Sequence, residues 1–309
     1  MSKIFEALEH AQRETAIDQP EENALLADDT HWEDQSIGDM LVSHGKLSSV
    51  DVNRIVDYQR EKGIYFGEAA VELGLVKQDD ILRVLSNQYG YSYGQSEPSS
   101  KDMVMATAPF SEIAEEFRSI RAHLLYDWLT PERKTLAIVS PGTREGRSYF
   151  AANIALAFSQ LGRSTLLIDA DLRAPRQQEI FSIATRVGVS SLLAGRIRMD
   201  QLDQLPDKVP AFPHLAILGS GPVPPNPSEL LASTKFTSIL REIERYFDVI
   251  IIDTPPATYR SDVMSVASVA GNALLLARSG HSSIKQTRLL TAFLNKSRAK
   301  IVGSVLNQF

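Results

Sequence analysis

Cysteine is absent from all 309 positions of the sequence. Disulfide bonds and thiolate metal sites are therefore excluded, and a reducing compartment is compatible with the composition. Long apolar runs are missing too, since stretches such as Ala273 to Ala277 are far shorter than the roughly 18 residues that span a bilayer. The N-terminus carries acidic residues and no secretory apolar segment. These absences predict a cytoplasmic protein that lies peripheral to the inner membrane only through a partner chain.

Positive charge is in deficit. The formal net charge is −6, which argues against nucleic acid or anionic lipid as the main partner. The six histidines show no spacing typical of a zinc site. Hydrophobic residues, at 43%, are enough for a packed core, and 23% charged residues are ordinary for a globular protein. The length allows one large domain and a smaller one.

The first third of the chain divides into two regions. Residues 1–30 are predicted to hold a helix over residues 3–15 and an acidic linker, since Asp18 to Asp34 has seven carboxylates and no Lys or Arg. Residues 31–94 contain a repeat with an offset of 29 residues. Its first unit has Ile37-Gly38, Leu41, Gly45, Val52, Val56 and Gln59, and its second has Phe66-Gly67, Ala70, Gly74, Ile81, Leu85 and Gln88. Each unit predicts two helices joined at a glycine, so the pair predicts a small all-α domain.

The remaining two regions are a linker and the main domain. Residues 95–109, with Ser, Pro and Lys, are predicted as a linker. Residues 110–309 begin with a helix from Phe110 to Trp128. Strands are then predicted at about 136–140, 165–169, 215–218, 248–253, 272–277 and 300–306. Most of these segments are wholly apolar, which is typical of an α/β fold whose mostly parallel sheet has helices on both faces.

A glycine-containing loop follows the first of these strands. It reads Gly142-Thr-Arg-Glu-Gly-Arg-Ser148 and precedes an amphipathic helix from Tyr149 to Leu161. Glycines let backbone N–H groups face inward, and the helix N-terminus adds partial positive charge. This strand–loop–helix context is what a phosphate-binding loop requires, so a P-loop NTPase fold is predicted.

Carboxylates end two further apolar runs. Asp169 and Asp171 close the second predicted strand, and Asp253 closes the strand that precedes Thr254-Pro-Pro256. Ligands of open α/β sheets bind at the carboxyl ends of the strands. A carboxylate placed there can hold Mg²⁺ directly or through water. The three stretches together predict a site for a nucleotide and its magnesium ion.

At these motifs the chain resembles bacterial tyrosine kinases of the chain-length-determinant type, in particular the EpsG-like group of exopolysaccharide gene clusters. Leu166 to Arg173 matches the family's motif of three apolar residues followed by Asp-x-Asp-x-Arg, and Ile250 to Pro256 matches its Asp-x-x-Pro motif. The segment Leu218 to Leu231 resembles the family's Gly-x-x-Pro-Pro-Asn-Pro segment. The resemblance covers residues 110–309. A further hypothesis is an ATPase that positions cargo on membranes or DNA, but proteins of that type lack the Asp-x-Asp-x-Arg motif.

The resemblance implies partners as well as a fold. Glu115, Arg118 and Arg121 form Glu-x-x-Arg-x-x-Arg, which resembles the motif through which these kinases contact neighbouring subunits in a ring. A homo-oligomer is therefore expected, together with a membrane-embedded polysaccharide co-polymerase that determines chain length.

The helical repeat resembles the N-terminal domain of type II secretion ATPases, some of which bind cyclic di-GMP. In those proteins Arg precedes Leu-Gly at the first repeat position. Here the corresponding residues are Ser36 and Tyr65, so both guanidinium groups are missing. This difference argues against cyclic di-GMP and favours a protein-docking module.

Phosphoryl transfer depends on positioning and charge neutralisation, which assigns a role to each residue of the predicted site. The loop backbone would hold the β- and γ-phosphates, and the Ser148 hydroxyl and a water on Asp253 would hold Mg²⁺. Asp169 would bind the metal or accept the proton of the incoming hydroxyl, with Asp171 in the same network. The predicted catalytic residues are Asp169, Asp171 and Arg147, and the predicted metal ligands are Ser148, Asp169 and Asp253. The predicted nucleotide-binding residues are Gly142, Thr143, Arg144, Glu145, Gly146, Arg147, Ser148, Tyr149 and Asn307.

Some of these residues have a second interpretation. Each Asp could instead cap a turn at a strand end, and Tyr149 could be an ordinary first-turn helix residue. Asn307 resembles the family's adenine-proximal Asn but could equally be a turn residue.

The sequence also departs from the family pattern. Arg147 stands where a phosphate loop of this type has Lys, and a planar guanidinium does not replace a compact ammonium. The first glycine, Gly142, precedes Gly146 by four residues instead of five. The family's C-terminal tyrosine cluster has no counterpart, since the last tyrosine is Tyr259; Tyr89, Tyr91 and Tyr93 could substitute or simply pack.

The sequence therefore predicts an ATP- and Mg²⁺-binding protein-tyrosine kinase of exopolysaccharide synthesis or export. The alternative is a non-catalytic scaffold, a pseudokinase whose nucleotide only fixes its conformation. Arg147 favours the scaffold, whereas the intact acidic motifs favour the enzyme.

Overall fold

The computed structural model describes residues 36–88, 100–183, 187–197 and 206–308, without the side chains of residues 83 and 85–88. All of these except Ser36 belong to one compact unit, Ile37–Phe309. The predicted helix over residues 3–15, the acidic linker and the tyrosines at 89, 91 and 93 lie outside the described residues.

A seven-stranded sheet forms the centre of the main domain, in the order β3-β4-β2-β5-β1-β6-β7. Its strands are β1 Thr135–Val139, β2 Thr165–Asp169, β3 Asp207–Val209, β4 Phe212–Leu218, β5 Val249–Asp253, β6 Asn272–Arg278 and β7 Lys300–Asn307. Every pairing is parallel except that of β3 with β4. The predicted mostly parallel sheet is confirmed. The strand β3 is not among the predicted strands, because it is a short, half-exposed edge strand with no apolar run.

Helices cover both faces of the sheet, which explains why its central strands are apolar throughout. Alternate residues of β1 enter different cores: Leu136 and Ile138 face one, whereas Ala137 and Val139 face the other. The first core includes α5 Val104–Thr107, α6 Glu112–Asp127 and α7 Arg147–Ser159. The remaining helices of the main domain are α8 Gln177–Ile180, α9 Val189–Leu193, α10 Pro227–Leu231, α11 Thr234–Ile243, α12 Arg260–Ala270 and α13 Ile284–Lys296.

The strand order brings three chain segments to one edge of the sheet. β5 lies between β1 and β2, and Asp169 at the end of β2 is in register with Asp253 at the end of β5. β1 lies on the other side of β5, with Ile138 paired to Asp253. Because these strands are parallel, the loops after β1, β2 and β5 emerge side by side. From β1 the chain crosses β5 to reach β2, whereas from β5 it crosses β1 to reach β6, so the two connections run in opposite directions along the sheet. Ligands bind at such points in open α/β sheets.

Four helices precede the main domain: α1 Ile37–Ser43, α2 Ser49–Lys62, α3 Phe66–Glu72 and α4 Gln78–Gln88. They form the two helix pairs that the repeat predicts, and Gly45 and Gly74 both have a positive φ of 67° at the turns. Gly38 and Gly67 hold equivalent positions where a side chain would be crowded. A Cβ atom on Gly38 would lie 3.3 Å from Phe66, and one on Gly67 would lie 3.2 Å from Ile81.

Residues 100–109, the described part of the segment predicted as a linker, contribute to the core of the main domain. Met103 to Ala106 are buried. Asn153 on α7 accepts a hydrogen bond from the Met105 N–H (3.0 Å) and donates one to the Asp102 carbonyl (2.7 Å). Gln160, just past the same helix, donates to the Met105 carbonyl (2.8 Å). Both amide side chains are buried, so they fix this segment to the helix that follows the glycine-containing loop.

Within the described residues, no helix combines the length and apolar character that crossing a membrane requires.

Candidate functional site

The glycine-containing loop connects β1 to α7 with two residues in the left-handed region. Gly146 has φ 90° and caps α7, and Arg144 has φ 56°. The helix begins at Arg147, two residues before the predicted start. Nearly all side chains of this Ala-rich helix are buried, and this packing fixes the position of its N-terminal end beside the loop. The loop backbone therefore has the form and position of a phosphate-binding loop.

Arg147 does not extend into solvent. It is buried, and its Nε donates to the Thr254 carbonyl (2.9 Å) after β5. Its Nη1 donates to the Gly142 carbonyl (2.6 Å) and to the Ser140 hydroxyl. Burial lowers the pKa of Arg147, and the nearby carboxylate of Asp253 opposes that change. The guanidinium thus joins the start of the loop to the chain after β5.

Asp169 and Asp253 form a buried acidic pair at the ends of neighbouring strands. Burial raises the pKa of Asp169 well above its usual value, and repulsion by Asp253 adds to this effect. Burial also raises the pKa of Asp253, although Arg147 and a hydrogen bond from Ser148 oppose it. Two carboxylates held together away from water favour a bound cation.

The two carboxylates of the pair differ in how many hydrogen bonds their oxygens accept. Asp169 accepts three backbone N–H bonds, from Asp171 (3.1 Å), Arg176 (3.0 Å) and Gln177 (3.0 Å). One oxygen of Asp253 accepts the Gln177 amide (2.8 Å), whereas its Oδ1 is buried and has no hydrogen-bond partner. An orphaned buried carboxylate oxygen beside Ser148 is a position where Mg²⁺ or its water fits.

No cluster of three or more His, Asp or Glu side chains in the described part of the chain is arranged to hold a metal ion by itself. The predicted ligands Ser148, Asp169 and Asp253 are close together, but Asp169 is committed to the backbone. Mg²⁺ usually takes only one or two protein ligands and completes its shell with phosphates and water. The donor set therefore fits a metal that arrives with a nucleotide.

Asp171 lines the open side of the site. Its Oδ1 accepts the backbone N–H groups of Arg173 (3.2 Å) and Ala174 (3.0 Å), which fixes the turn after β2. It shares the cleft with the loop, whereas Asp169 lies behind it.

Glu145 is a carboxylate inside the loop, and it is fully buried. Its Oε2 accepts the Gly142 N–H (2.6 Å), and its Oε1 accepts the Ser282 hydroxyl. The Glu145 side chain therefore supports the loop by joining its two ends, and does not itself face a nucleotide.

Three further side chains from the ends of β6 and β7 hold the carbonyl groups of the loop. Arg278 donates to the Arg144 carbonyl (3.1 Å), and the Asn307 amide donates to the Glu145 carbonyl (3.2 Å). The His281 ring lies 3.1 Å from the Thr143 carbonyl oxygen. With Ser282, these residues form what we call the loop brace. Only Asn307 was predicted; the others carry no motif that would identify them.

These elements surround a cleft of about 1140 Å³. Its lining includes the predicted residues Thr143, Arg144, Glu145, Gly146, Arg147, Ser148, Tyr149, Asp171 and Asn307. Asp169 and Asp253 lie buried at its floor and Gly142 lies under Glu145. Residues outside the predicted catalytic, nucleotide-binding and metal-binding sets also line it, including Arg173, Arg176, Tyr259 and Arg278. The predicted nucleotide-binding residues thus lie in or directly beneath one cavity.

The residues predicted for subunit contact lie on α6 but differ in exposure. The Glu115 side chain is 73% exposed and pairs with Arg118 at 2.7 Å. Arg118 also donates to the Pro109 carbonyl. Arg121 is 7% exposed and donates to the Ala157 carbonyl (2.8 Å), so it anchors α6 on α7 within the chain.

Several known proteins that are similar in sequence to this chain carry the name of one family. CapB of Staphylococcus aureus, whose name places it with the tyrosine-protein kinases, is 36% identical over 200 residues, which cover 65% of this chain and 86% of that protein. The tyrosine-protein kinase YwqD of Bacillus subtilis is 33% identical over 207 residues, covering 67% and 86%. No family model matches the sequence.

Solved structures give the same answer. The chimerical protein CapA2B2 superposes with a TM-score of 0.62 at 30% identity, covering 72% of this chain and 96% of that one. The kinase domain of the Escherichia coli tyrosine kinase ETK gives 0.63 at 26% identity, covering 72% and 92%.

The buried acidic pair predicts a pH dependence of stability. Both pKa values are raised in the folded chain, so it binds more protons than the unfolded chain at pH values above the usual carboxyl pKa of about 3.9. The free energy of unfolding contributed by the pair is therefore full below that pH and is lost as pH rises through the raised values. Asp253→Asn should stabilise the nucleotide-free protein at pH 7 by the order of 1 kcal/mol and flatten this dependence.

Urea denaturation from pH 4 to pH 8 would measure both effects, with the exposed Asp127→Asn as the control. A variant that is less stable than the parent at pH 7, with an unchanged slope, would contradict the assignment.

The loop brace predicts a loss of nucleotide affinity without direct contact. Ser282→Ala removes the hydroxyl that holds the Glu145 carboxylate, and a hydrogen bond to a charged group contributes about 1.5–3 kcal/mol. We expect Mg-ADP to bind at least about 10-fold more weakly, as measured by titration calorimetry. Ser279→Ala, exposed in the same loop, should bind like the parent. Equal binding by Ser282→Ala would show that its hydroxyl does not support the loop, and tighter binding would show that the Glu145 carboxylate obstructs it.

Proposed function

The chain belongs to the family of bacterial tyrosine-protein kinases, and from this premise we propose that it transfers the γ-phosphoryl group of Mg-ATP to protein tyrosine. One observation carries the proposal: the phosphate loop, the buried pair Asp169 and Asp253, and the cleft-lining Asp171 converge at one edge of the sheet. Such a constellation can position a triphosphate and neutralise its charge, which is most of what phosphoryl transfer requires.

We assign the phosphates to the backbone N–H groups from Arg144 to Ser148, at the N-terminus of α7. The partial positive charge of that helix end favours the anion. Mg²⁺ would be held by the Ser148 hydroxyl and by Asp253, whose Oδ1 has no other partner. The ion would neutralise charge on the phosphate oxygens as the bond to the leaving diphosphate breaks.

Arg147 would act differently from the usual lysine. Its three hydrogen bonds hold the guanidinium against Ser140, Gly142 and Thr254. In that position it fixes the loop relative to the end of β5 and supplies positive charge beneath the phosphates. The charge remains even though burial lowers its pKa, because the usual value lies far above neutral pH.

Asp171 is better placed to accept a proton than Asp169, the residue for which that role was predicted. Asp169 is buried and already accepts three backbone N–H groups, so it orients the turn that carries Asp171. Asp171 lines the cleft and can accept the proton of a tyrosine hydroxyl that approaches the γ-phosphate.

The family membership also supports a role in exopolysaccharide synthesis or export, with a membrane-embedded co-polymerase as partner. In this setting we propose that copies of the chain associate through the exposed end of α6, where Glu115 and Ile113 are accessible. Residues 37–88 would dock a protein partner. Ser36 and Tyr65 lack the guanidinium expected for cyclic di-GMP.

A labelling experiment tests the kinase assignment. The full chain, incubated with Mg-ATP labelled at the γ-phosphate, should incorporate label into tyrosine. Asp171→Asn should reduce the rate by about 100-fold or more, because general-base catalysis typically contributes 10²–10⁴-fold, and should bind nucleotide normally. Asp127→Asn should behave like the parent. Nucleotide binding without any labelling, in every variant, would leave the non-catalytic scaffold as the function.

If copies of the chain associate through α6, substitutions at Glu115 and Arg121 should change different properties: self-association in the first case and thermal stability in the second. Glu115→Lys reverses an exposed charge, so it should abolish self-association in analytical ultracentrifugation without changing the melting temperature. Arg121→Ala removes a buried bond to α7, so it should lower the melting temperature. Glu132→Lys, exposed outside the helix, is the control for Glu115→Lys. Unchanged association of Glu115→Lys would exclude this surface.

A further inference from the structure

We infer that Gln177 is a positioning residue for magnesium: its amide nitrogen orients the Asp253 carboxylate, and its amide oxygen accepts a hydrogen bond from a water on the ion. The inference rests on the proposed function, because it takes from it that Mg²⁺ reaches the site with a nucleotide. Gln177 belongs to none of the catalytic, nucleotide-binding and metal-binding sets predicted from the sequence.

The side chain of Gln177 joins two parts of the site. The residue is fully buried, and its Nε2 donates to Oδ2 of Asp253 (2.8 Å) and to the backbone carbonyl of Ser148 (3.0 Å). Both acceptors belong to residues that we assign to Mg²⁺. One amide group therefore holds the carboxylate at the end of β5 against the first turn of α7, the helix that follows the phosphate loop.

The chemistry of these contacts decides which end of the amide faces the carboxylate. A backbone carbonyl and an ionised carboxylate only accept hydrogen bonds, so the nitrogen has to face them and the oxygen has to point elsewhere. That oxygen, Oε1 of Gln177, is buried and has no hydrogen-bond partner among the described residues. Oδ1 of Asp253 is in the same state. Each member of this hydrogen-bonded pair thus keeps one buried acceptor.

A water bound to Mg²⁺ suits these two acceptors. Mg²⁺ usually keeps several waters when it binds to a protein. Such a water turns its oxygen toward the ion and therefore offers its hydrogens to neighbouring acceptors. Buried polar atoms are seldom left without a hydrogen bond, so a donor is required at both oxygens. The Asp253 carboxylate and the Gln177 amide oxygen together meet the needs of a hydrated ion.

Asp169 places Gln177 beside Asp253. Its Oδ2 accepts the backbone N–H groups of Arg176 and Gln177, both at 3.0 Å, and these bonds fix the start of α8. Asp169 and Asp253 are in register at the ends of neighbouring strands, so a residue held at Asp169 can reach Asp253 with its side chain. Asp169, whose oxygens are bonded to the backbone, therefore supports the metal site through Gln177.

Gln160 provides a matched contrast, because an amide oxygen without a partner does not by itself identify such a site. The Gln160 side chain is also buried, and its Nε2 donates to the Met105 carbonyl (2.8 Å). Its Oε1 likewise has no partner within the described part of the chain. Its amide nitrogen, however, is bonded to α5, whereas that of Gln177 is bonded to the carboxylate assigned to the metal.

Titration calorimetry with ADP, in Mg²⁺ and in EDTA, tests the role without turnover. In the parent chain Mg²⁺ should raise the affinity for ADP. Gln177→Met keeps the length of the side chain but removes the amide, so the gain from Mg²⁺ should fall by about 10- to 100-fold, the usual effect of losing a group that orients a metal ligand. The affinity in EDTA should not change. Gln178→Met, at a partly exposed position of the same helix, should behave like the parent.

The two conditions separate the possible outcomes. A loss of affinity by Gln177→Met that is equal in Mg²⁺ and in EDTA would show that Gln177 only supports the loop. An undiminished gain from Mg²⁺ would show that it does not act on the metal. Either result would overturn the inference. ADP binding by the parent that Mg²⁺ fails to strengthen would instead contradict the metal site of the proposed function, and the inference would fall with it.

Carbon-13 NMR of the unsubstituted chain, labelled at its glutamine side-chain carbonyls, measures the amide oxygen directly. The Gln177 signal should shift when Mg²⁺ is added to the ADP complex, because Oε1 then gains a donor. The Gln160 signal should stay in place. A Gln177 signal that does not respond to Mg²⁺ would show that the amide oxygen has no part in binding the hydrated ion, and would also overturn the inference.

Discussion

The arrangement of the site depends on the register between β2 and β5, which places Asp169 beside Asp253 in the protein interior. Both carboxylates are fully buried, and their ionised forms lack hydration and repel each other. The pKa values of both are raised for that reason. The fold offsets that cost with backbone N–H groups for Asp169 and with Ser148, Gln177 and the nearby Arg147 for Asp253. A slip of β2 by one residue would turn Asp169 to the opposite face of the sheet and separate it from Asp253.

The phosphate loop is supported from outside as much as from its own sequence. Its carbonyls are held by side chains from the ends of β6 and β7, and its buried glutamate is held by Ser282. The loop held in this way has only three residues between Gly142 and Gly146. A loop with fewer residues has less freedom, and the hydrogen bonds to distant strands keep its N–H groups directed at the cleft.

Sequence reasoning located the fold and much of the site for identifiable reasons. Val249 to Asp253 is an apolar run ending in a carboxylate, so both its buried strand and the position of its acid follow from local pattern. The strand β3 has no such pattern and was not foreseen. The position of the Arg147 guanidinium could not be predicted from local sequence either, because its partner Thr254 lies 107 residues further along the chain. Apart from Asn307, the residues of the loop brace were missed for the same reason: nothing local distinguishes Ser282 from other loop serines.

The anchoring of Asp102 to Met105 by Asn153 and Gln160 has a consequence for how this protein could be rebuilt from parts. A chimaera that joins a foreign N-terminal module after residue 109 would delete buried core and strip the partners from two amides. Recombination that exchanges the preceding helices is therefore tolerated only upstream of about residue 100. The unit that has to stay together with the sheet therefore begins before Phe110, where the sequence pattern starts the main domain.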